Sequence, residues 1–199
     1  MDDGVVRRHE ERERGLFECA LEQAGYFTAG QARTLGFSPG EIGRALGAGA
    51  WERVDRDLFR LSPWPHTDLE DVARRCVQLQ GAVVSHQSAA ELYGLGHLHP
   101  QFLHVTAGAP VHVRTDRVAV HRADLGPADC EHTGAFLITT PLRTVLDLAE
   151  SGVSQWVLDE VVGDALAIGR LDRPALEAGA AGQSVRVERR VGRALSSWA

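Results

Sequence analysis

Lysine is missing altogether: all 21 basic residues of this 199-residue chain are arginines. That absence excludes a Walker-A lysine, a Schiff-base lysine and any nuclease core that depends on lysine. Cysteine is scarce. Cys19, Cys76 and Cys130 are odd in number, far apart and without a C-x-x-C partner, so a reducing, cytoplasmic setting is expected. Cys76 repeats with Val72 and Leu79 on one helix face and reads as core. No apolar run approaches membrane-spanning length, and the charged start Met1–Arg14 has no apolar segment behind it, so no secretory signal is expected. Internal repeats and low-complexity tracts are also absent. The 44% hydrophobic and 24% charged content is ordinary for a globular protein, and the length suits one large domain or two small ones.

The stretch that organises the chain runs from Thr28 to Leu61. Thr28 caps a short helix, Ala29–Leu35, which stops at Gly36. Ser38-Pro39-Gly40-Glu41 then combines an N-cap, a proline at the first helical position and the glutamate of a capping box. Ile42, Ala45 and Leu46 share an inward face, and Gly47 and Gly49 end the helix. Trp51–Val54 and Leu58–Leu61 flank the turn Asp55-Arg56-Asp57 as a hairpin. Helix, turn, helix and hairpin in this order make the winged helix-turn-helix that reads DNA. Its second helix is poor in reading groups: the outward face holds Gly40, Gly43, Arg44, Gly47 and Ala48, and only Arg44 can make a bidentate contact to guanine. The DNA-binding residues expected are Ser38, Arg44, Arg53, Arg56 and Arg60, with Arg44 in the groove and the wing arginines on phosphates.

Charge is unevenly spread over the net −6. Residues 1–62 hold 9 arginines against 11 acids, residues 63–182 hold 8 against 15, and residues 183–199 hold 4 against 1. Residues 28–61 alone stand at +1, which predicts weak non-specific affinity and a need for dimerisation or cooperative binding on repeated sites.

Around that motif, Gly15–Gly25 reads as a support helix with Leu16, Phe17, Ala20, Leu21 and Ala24 at core spacing, behind a solvated, charge-mixed lead-in, Met1–Arg14, that is itself compatible with helix. Ser62-Pro63-Trp64-Pro65-His66 is the clearest linker, so the expected domains are 1–62 and 67–199. Thr67–Glu70 reads as another capping box, opening a helix to about Gln80. Ser85 reads as the N-cap of a helix through Tyr93, because adjacent helical residues such as Ser85 and His86 do not face each other. Phe102–Thr106, Val111–Arg114 and Val118–Arg122 read as strands, the last two joined at Thr115-Asp116. His97, His99, His104, His112 and His121 lie nearby without zinc-ligand spacing, so no metal is expected. A strand at Phe136–Thr139 precedes helices at Leu142–Glu150, behind a Thr140-Pro141 cap, and at Gln155–Ile168. A short helix, Arg173–Gly179, follows the Asp172 cap, and a last one runs over Ser184–Trp198. Asp159, Glu160 and Asp164 lie on one helix side but lack the partner base or metal motif of an active site. The fold class expected is α+β: a winged helix-turn-helix followed by a mixed α/β domain. No catalytic residue and no cofactor is expected.

Four segments together resemble the AbiEi-type antitoxins of bacterial abortive-infection, or type IV, toxin–antitoxin systems. They are the winged segment Phe27–Leu61, the run Val84–Leu95 (VSHQSAAELYGL), His104-Val105-Thr106, and Ile138–Ala149 (ITTPLRTVLDLA). The resemblance implies a winged N-domain that represses its own operon at promoter double-stranded DNA. It also implies a C-domain with antitoxin duties against a nucleotidyltransferase-like toxin. Some similar proteins continue into an endonuclease domain after a helix like Val185–Ser197; this sequence stops at Ala199, so nuclease activity is expected to be absent. The acidic middle segment would suit a basic toxin surface. Two other readings stand beside this one: a DNA-binding regulator without a toxin partner, and the non-catalytic remainder of an endonuclease-like protein. The final helix offers either an extra contact, through Val187, Val191, Leu195 and Trp198, or a stripe packed on its own domain.

Overall fold

The computed structural model describes residues 3–111 and 117–198. It divides into two compact units, Met1–Gly81 with Thr133–Phe136, and Ala82–His132 with Leu137–Ala199. The expected strand Val111–Arg114 and its Thr115-Asp116 turn fall mostly on residues outside the described ones, as does His112.

The first unit opens with α1, Asp3–Leu21. The helix begins twelve residues before the expected Gly15, supported by i,i+4 pairs Arg7–Glu11 and His9–Glu13. Leu16 and Ala20 are buried, whereas Phe17 and Leu21 are half exposed. Gly25 ends the turn after α1 at φ +86°, where an added Cβ would lie 2.5 Å from the Trp64 ring. Glycine is required there twice over, by backbone and by space. The short strand β1 (Tyr26–Thr28) leads into α2 (Ala29–Thr34) and α3 (Pro39–Gly47). Both helices begin on complete capping boxes, Thr28 with Gln31 and Ser38 with Glu41. The wing is β2 (Trp51–Asp55) against β3 (Leu58–Leu61), antiparallel with a bulge between Arg53 and Asp55. β1 pairs with the other edge of β3, giving the sheet order β1-β3-β2. Trp51 sits among the core aromatics, its ring centroid 4.9 Å from Phe27 and 5.3 Å from Phe37. Leu16, Ala32 and Ile42 close the same core.

Beyond the prolines, α4 (Glu70–Gln78) groups with this first unit, although the sequence had placed it in the second domain. The expected Thr67 capping box does not form: Leu69 is the N-cap and makes no side-chain bond. Glu70 turns instead to Arg60, Tyr26 and His66.

The second unit has a mixed five-stranded sheet of β4 (Val83–Val84), β5 (Leu103–Ala107), β6 (Val118–Arg122), β7 (Cys130–His132) and β8 (Leu137–Thr139), in the order β6-β5-β4-β8-β7. β6 runs parallel to β5, with Thr106 opposite His121. α5 (His86–Leu92) leaves β4 directly. The helices α6 (Pro141–Glu150), α7 (Gln155–Ala167), α8 (Arg173–Ala180) and α9 (Val185–Ser197) build the core through Val145, Leu148, Leu158, Val161, Leu176, Val191 and Leu195. Val187, Val191 and Leu195 of α9 are thus core residues, while Trp198 stays half exposed over Gly163 of α7, where an added Cβ would meet its ring at 3.1 Å. Trp156, at the start of α7, is 71% exposed. Among the described residues no helix is long and apolar enough to cross a membrane.

Candidate nucleic-acid interface and the cavity of the second unit

The outward face of α3 carries Arg44, exposed and without a partner among the described residues. It stands beside Gly40, Gly43 and Gly47, where an added Cβ would meet nothing within 4 Å. The face is therefore smooth apart from one guanidinium. Ser38 spends its hydroxyl on the helix cap, accepting from the Glu41 backbone N–H and donating to Glu41 Oε2 at 2.6 Å. Arg56, at the tip of the wing, is exposed with no side-chain partner among the described residues. Arg53 is exposed too, but its Nη1 donates to the Arg56 carbonyl at 3.0 Å and its guanidinium lies 5.0 Å over the Phe59 ring.

Arg60 does not belong with them. The residue is only 6% exposed, its Nη1 lies 2.6 Å from Glu70 Oε1, and Nη2 donates to the Pro65 carbonyl at 3.1 Å. The guanidinium also stacks 5.1 Å from the Tyr26 ring. Alternation along β3 turns residue 60 away from the aromatic core, and the Glu70 carboxylate waits on that side. Tyr26 donates its hydroxyl to the same carboxylate, and burial together with that bond pushes the phenol up to about 12. The sequence reading also missed Arg12, which it placed in a solvated lead-in. Arg12 donates to the Gly36 carbonyl at 2.7 Å and to Glu41 Oε1 at 3.0 Å, tying α1 to the turn between α2 and α3. Its spacing of four from Leu16 and eight from Ala20 was the available signal. Ser38, and then Arg12, hold the Glu41 carboxyl down at about 2.

In the second unit, Ser85 and His86 do face each other. Ser85 is fully extended (φ −149°, ψ 179°) and His86 has φ +53°, so the pair is not helical where it meets. Ser85 makes no cap bond; its Oγ lies 2.9 Å from His86 Nδ1 and accepts from the Thr106 hydroxyl at 2.8 Å. The His121 ring stacks on His86 with centroids 3.5 Å apart, and His121 Nε2 lies 2.9 Å from His104 Nδ1. Burial, followed by His121 and His104, pushes the His86 imidazole down to about 3, so it is neutral at physiological pH. The rings stack rather than converge, and no group of three or more His, Cys, Asp or Glu among the described residues is arranged to hold a metal ion. His86 and His121 line a cavity of about 680 Å³ together with Val120, Arg122, Arg143 and Asp147. Arg143 donates through Nε to Asp147 Oδ1 at 2.8 Å and pairs through Nη1 with Asp129 at 3.3 Å. Asp147 Oδ2 is buried with no partner among the described residues, and burial raises the carboxyl above its ordinary value.

Residues 14–62 match a family model described as a transcriptional regulator, AbiEi antitoxin, and residues 82–197 match the AbiEi antitoxin C-terminal domain. The chain belongs to the AbiEi antitoxin family. A comparison with curated proteins gives no match. Within the AbiEi C-terminal domain, Asp159, Glu160 and Asp164 are each engaged by neighbouring groups. Asp164 accepts the Gly96 backbone N–H at 2.7 Å, Glu160 lies 2.6 Å from His97 Nδ1, and Asp159 accepts from the Gln155 amide at 2.7 Å. Arg190, only 8% exposed, donates to the carbonyls of Ala149 and Ser151 and so closes the C-terminal end of α6 in this AbiEi domain.

Proposed function

We propose that this AbiEi antitoxin represses its own operon by binding promoter double-stranded DNA through the first unit, and counteracts a nucleotidyltransferase-like toxin through the second. The observation that carries the DNA half is Arg44, presented alone on a face of α3 smooth enough for close approach to base edges. Arg56 and Arg53 supply phosphate contacts from the wing, and Ser38 fixes the N-terminus of α3 rather than contacting DNA itself. Arg60 leaves the contact set because its charge is neutralised inside the fold. With so few free cations, binding relies on a homodimer or on cooperative occupation of repeated sites. The toxin half rests on membership of the family and on the acidic balance of residues 63–182. Footprinting of the chain's own promoter region at low salt tests the repressor: protection over repeated or palindromic sites is expected, and an unprotected promoter overturns it. Co-expression with the neighbouring toxin tests the antitoxin, with growth rescue as the expected outcome.

A further inference from the structure

We infer, resting on the reading that the first unit binds promoter DNA, that Gln78 at the end of α4 is a positioning residue for that contact. It holds the tip of the wing so that Arg56 meets the duplex in a preset direction. The tip is the turn Asp55-Arg56-Asp57, a segment that left to itself would sample many backbone states. In this fold each of its three residues is held. Gln78 Nε2 donates to Asp55 Oδ2 at 3.0 Å, and Asp55 Oδ1 accepts the Arg56 backbone N–H at 2.7 Å. Arg53 Nη1 donates to the Arg56 carbonyl at 3.0 Å. The Asp57 carbonyl accepts the Ala29 N–H at 2.9 Å, one of the first-turn donors that a helix cannot pair within itself. Both backbone groups of Arg56 are thereby occupied, while its exposed side chain has no partner among the described residues. A contact ordered in advance loses less entropy when the duplex arrives, and that saving appears as affinity.

α4 can serve as the strut because both of its ends are fastened to the sheet. Its first residue, Glu70, pairs with Arg60 of β3 at 2.6 Å and accepts the Tyr26 hydroxyl of β1 at 2.8 Å. Its last residue is Gln78, which reaches the wing turn. Charge separates this role from simple electrostatics. Gln78 is neutral, so replacing it by another neutral residue leaves the field at the DNA surface as it was. Asp55 is a negative charge on the wing, and by charge alone its loss tightens binding.

The test is titration of the full chain, wild type and variants, against a duplex of its own promoter region at fixed salt. Gln78→Met keeps the length of the side chain and loses the donor. It should weaken binding about threefold, the scale of one modest hydrogen bond, with an unchanged melting temperature. Asp55→Ala should weaken binding at least as much, although it removes a negative charge. In an Arg56→Ala background there is no contact left to aim, so Gln78→Met should then have no effect. Equal binding by wild type and Gln78→Met, tighter binding by Asp55→Ala, or the same loss with and without Arg56 would each overturn the positioning role. A wild-type chain that leaves the promoter unbound overturns the repressor reading itself, and the positioning role with it.

Discussion

Two arginines, Arg44 on α3 and Arg60 on β3, look alike in the sequence and behave oppositely in the fold. Arg44→Ala should leave stability within about 0.5 kcal/mol of wild type, as surface changes do, yet cost about 1–3 kcal/mol of promoter binding and blur specificity. Arg60→Ala should do the reverse. It strands the Glu70 carboxylate beside Tyr26, and removing one partner of such a buried pair costs about 3 kcal/mol of unfolding free energy. Urea denaturation and a promoter titration on both variants separate the two roles. Nothing local distinguishes these arginines; Arg60 is fixed by a carboxylate beyond the Pro63–Pro65 linker. Glycine 43 offers a third reading of the same face. Gly43→Ala fills empty space and should stabilise α3 by about 1 kcal/mol. If bases approach that face closely, the same variant weakens DNA binding despite the more stable fold, and unchanged binding would place the DNA elsewhere.

Elements were legible where their signals are local. The caps at Thr28, Ser38, Thr140 and Asp172 all accept the backbone bonds expected of them, because a cap depends on four consecutive residues. The wing and the strand at Val118–Arg122 follow from alternation. What escaped depends on distant partners. β7 is three residues long with no apolar alternation, and forms because β8 offers it an antiparallel edge. The parallel match of β6 to β5 has no signature within either strand. The Ser85–His86 contact needed Thr106, 21 residues on, to take part. Arg190 belongs to this class as well: it lies off the apolar stripe of its own helix, yet it reaches the end of α6. Arg190→Ala should destabilise the second unit by about 2 kcal/mol, since several carbonyls lose a charged donor at once. Arg190→Lys should recover only part of that loss, because an ammonium cannot span the same carbonyls. Thermal unfolding of the three proteins checks the order.

At the scale of the whole molecule, pH should act on the two units differently. His86, His104 and His121 all sit below their ordinary value, chiefly through burial. The unfolded chain therefore takes up protons first, and the stability these rings contribute is present above about pH 6.5 and lost as pH falls below it, for His86 toward about 3. His86 alone accounts for about 2 kcal/mol between pH 7 and pH 5, and His86→Asn should flatten that part of the denaturation profile. In the first unit Glu41 lies at about 2, so its contribution persists to lower pH and fades only as pH drops from about 4.5 toward that value. A fragment of residues 1–81 should unfold at higher urea than one of residues 1–62, which loses Glu70 and with it the partner of Arg60. The tryptophans make such measurements direct. In the first unit Trp51 is buried at 5% exposure and Trp64 is half-buried, whereas Trp156 and Trp198 of the second are 71% and 51% exposed. Emission from Trp51 will lie to the blue and resist acrylamide, and emission from Trp156 and Trp198 will lie to the red and quench readily. The protein thus carries an optical tag on each half, and the unfolding of one can be watched against the other in an unlabelled sample.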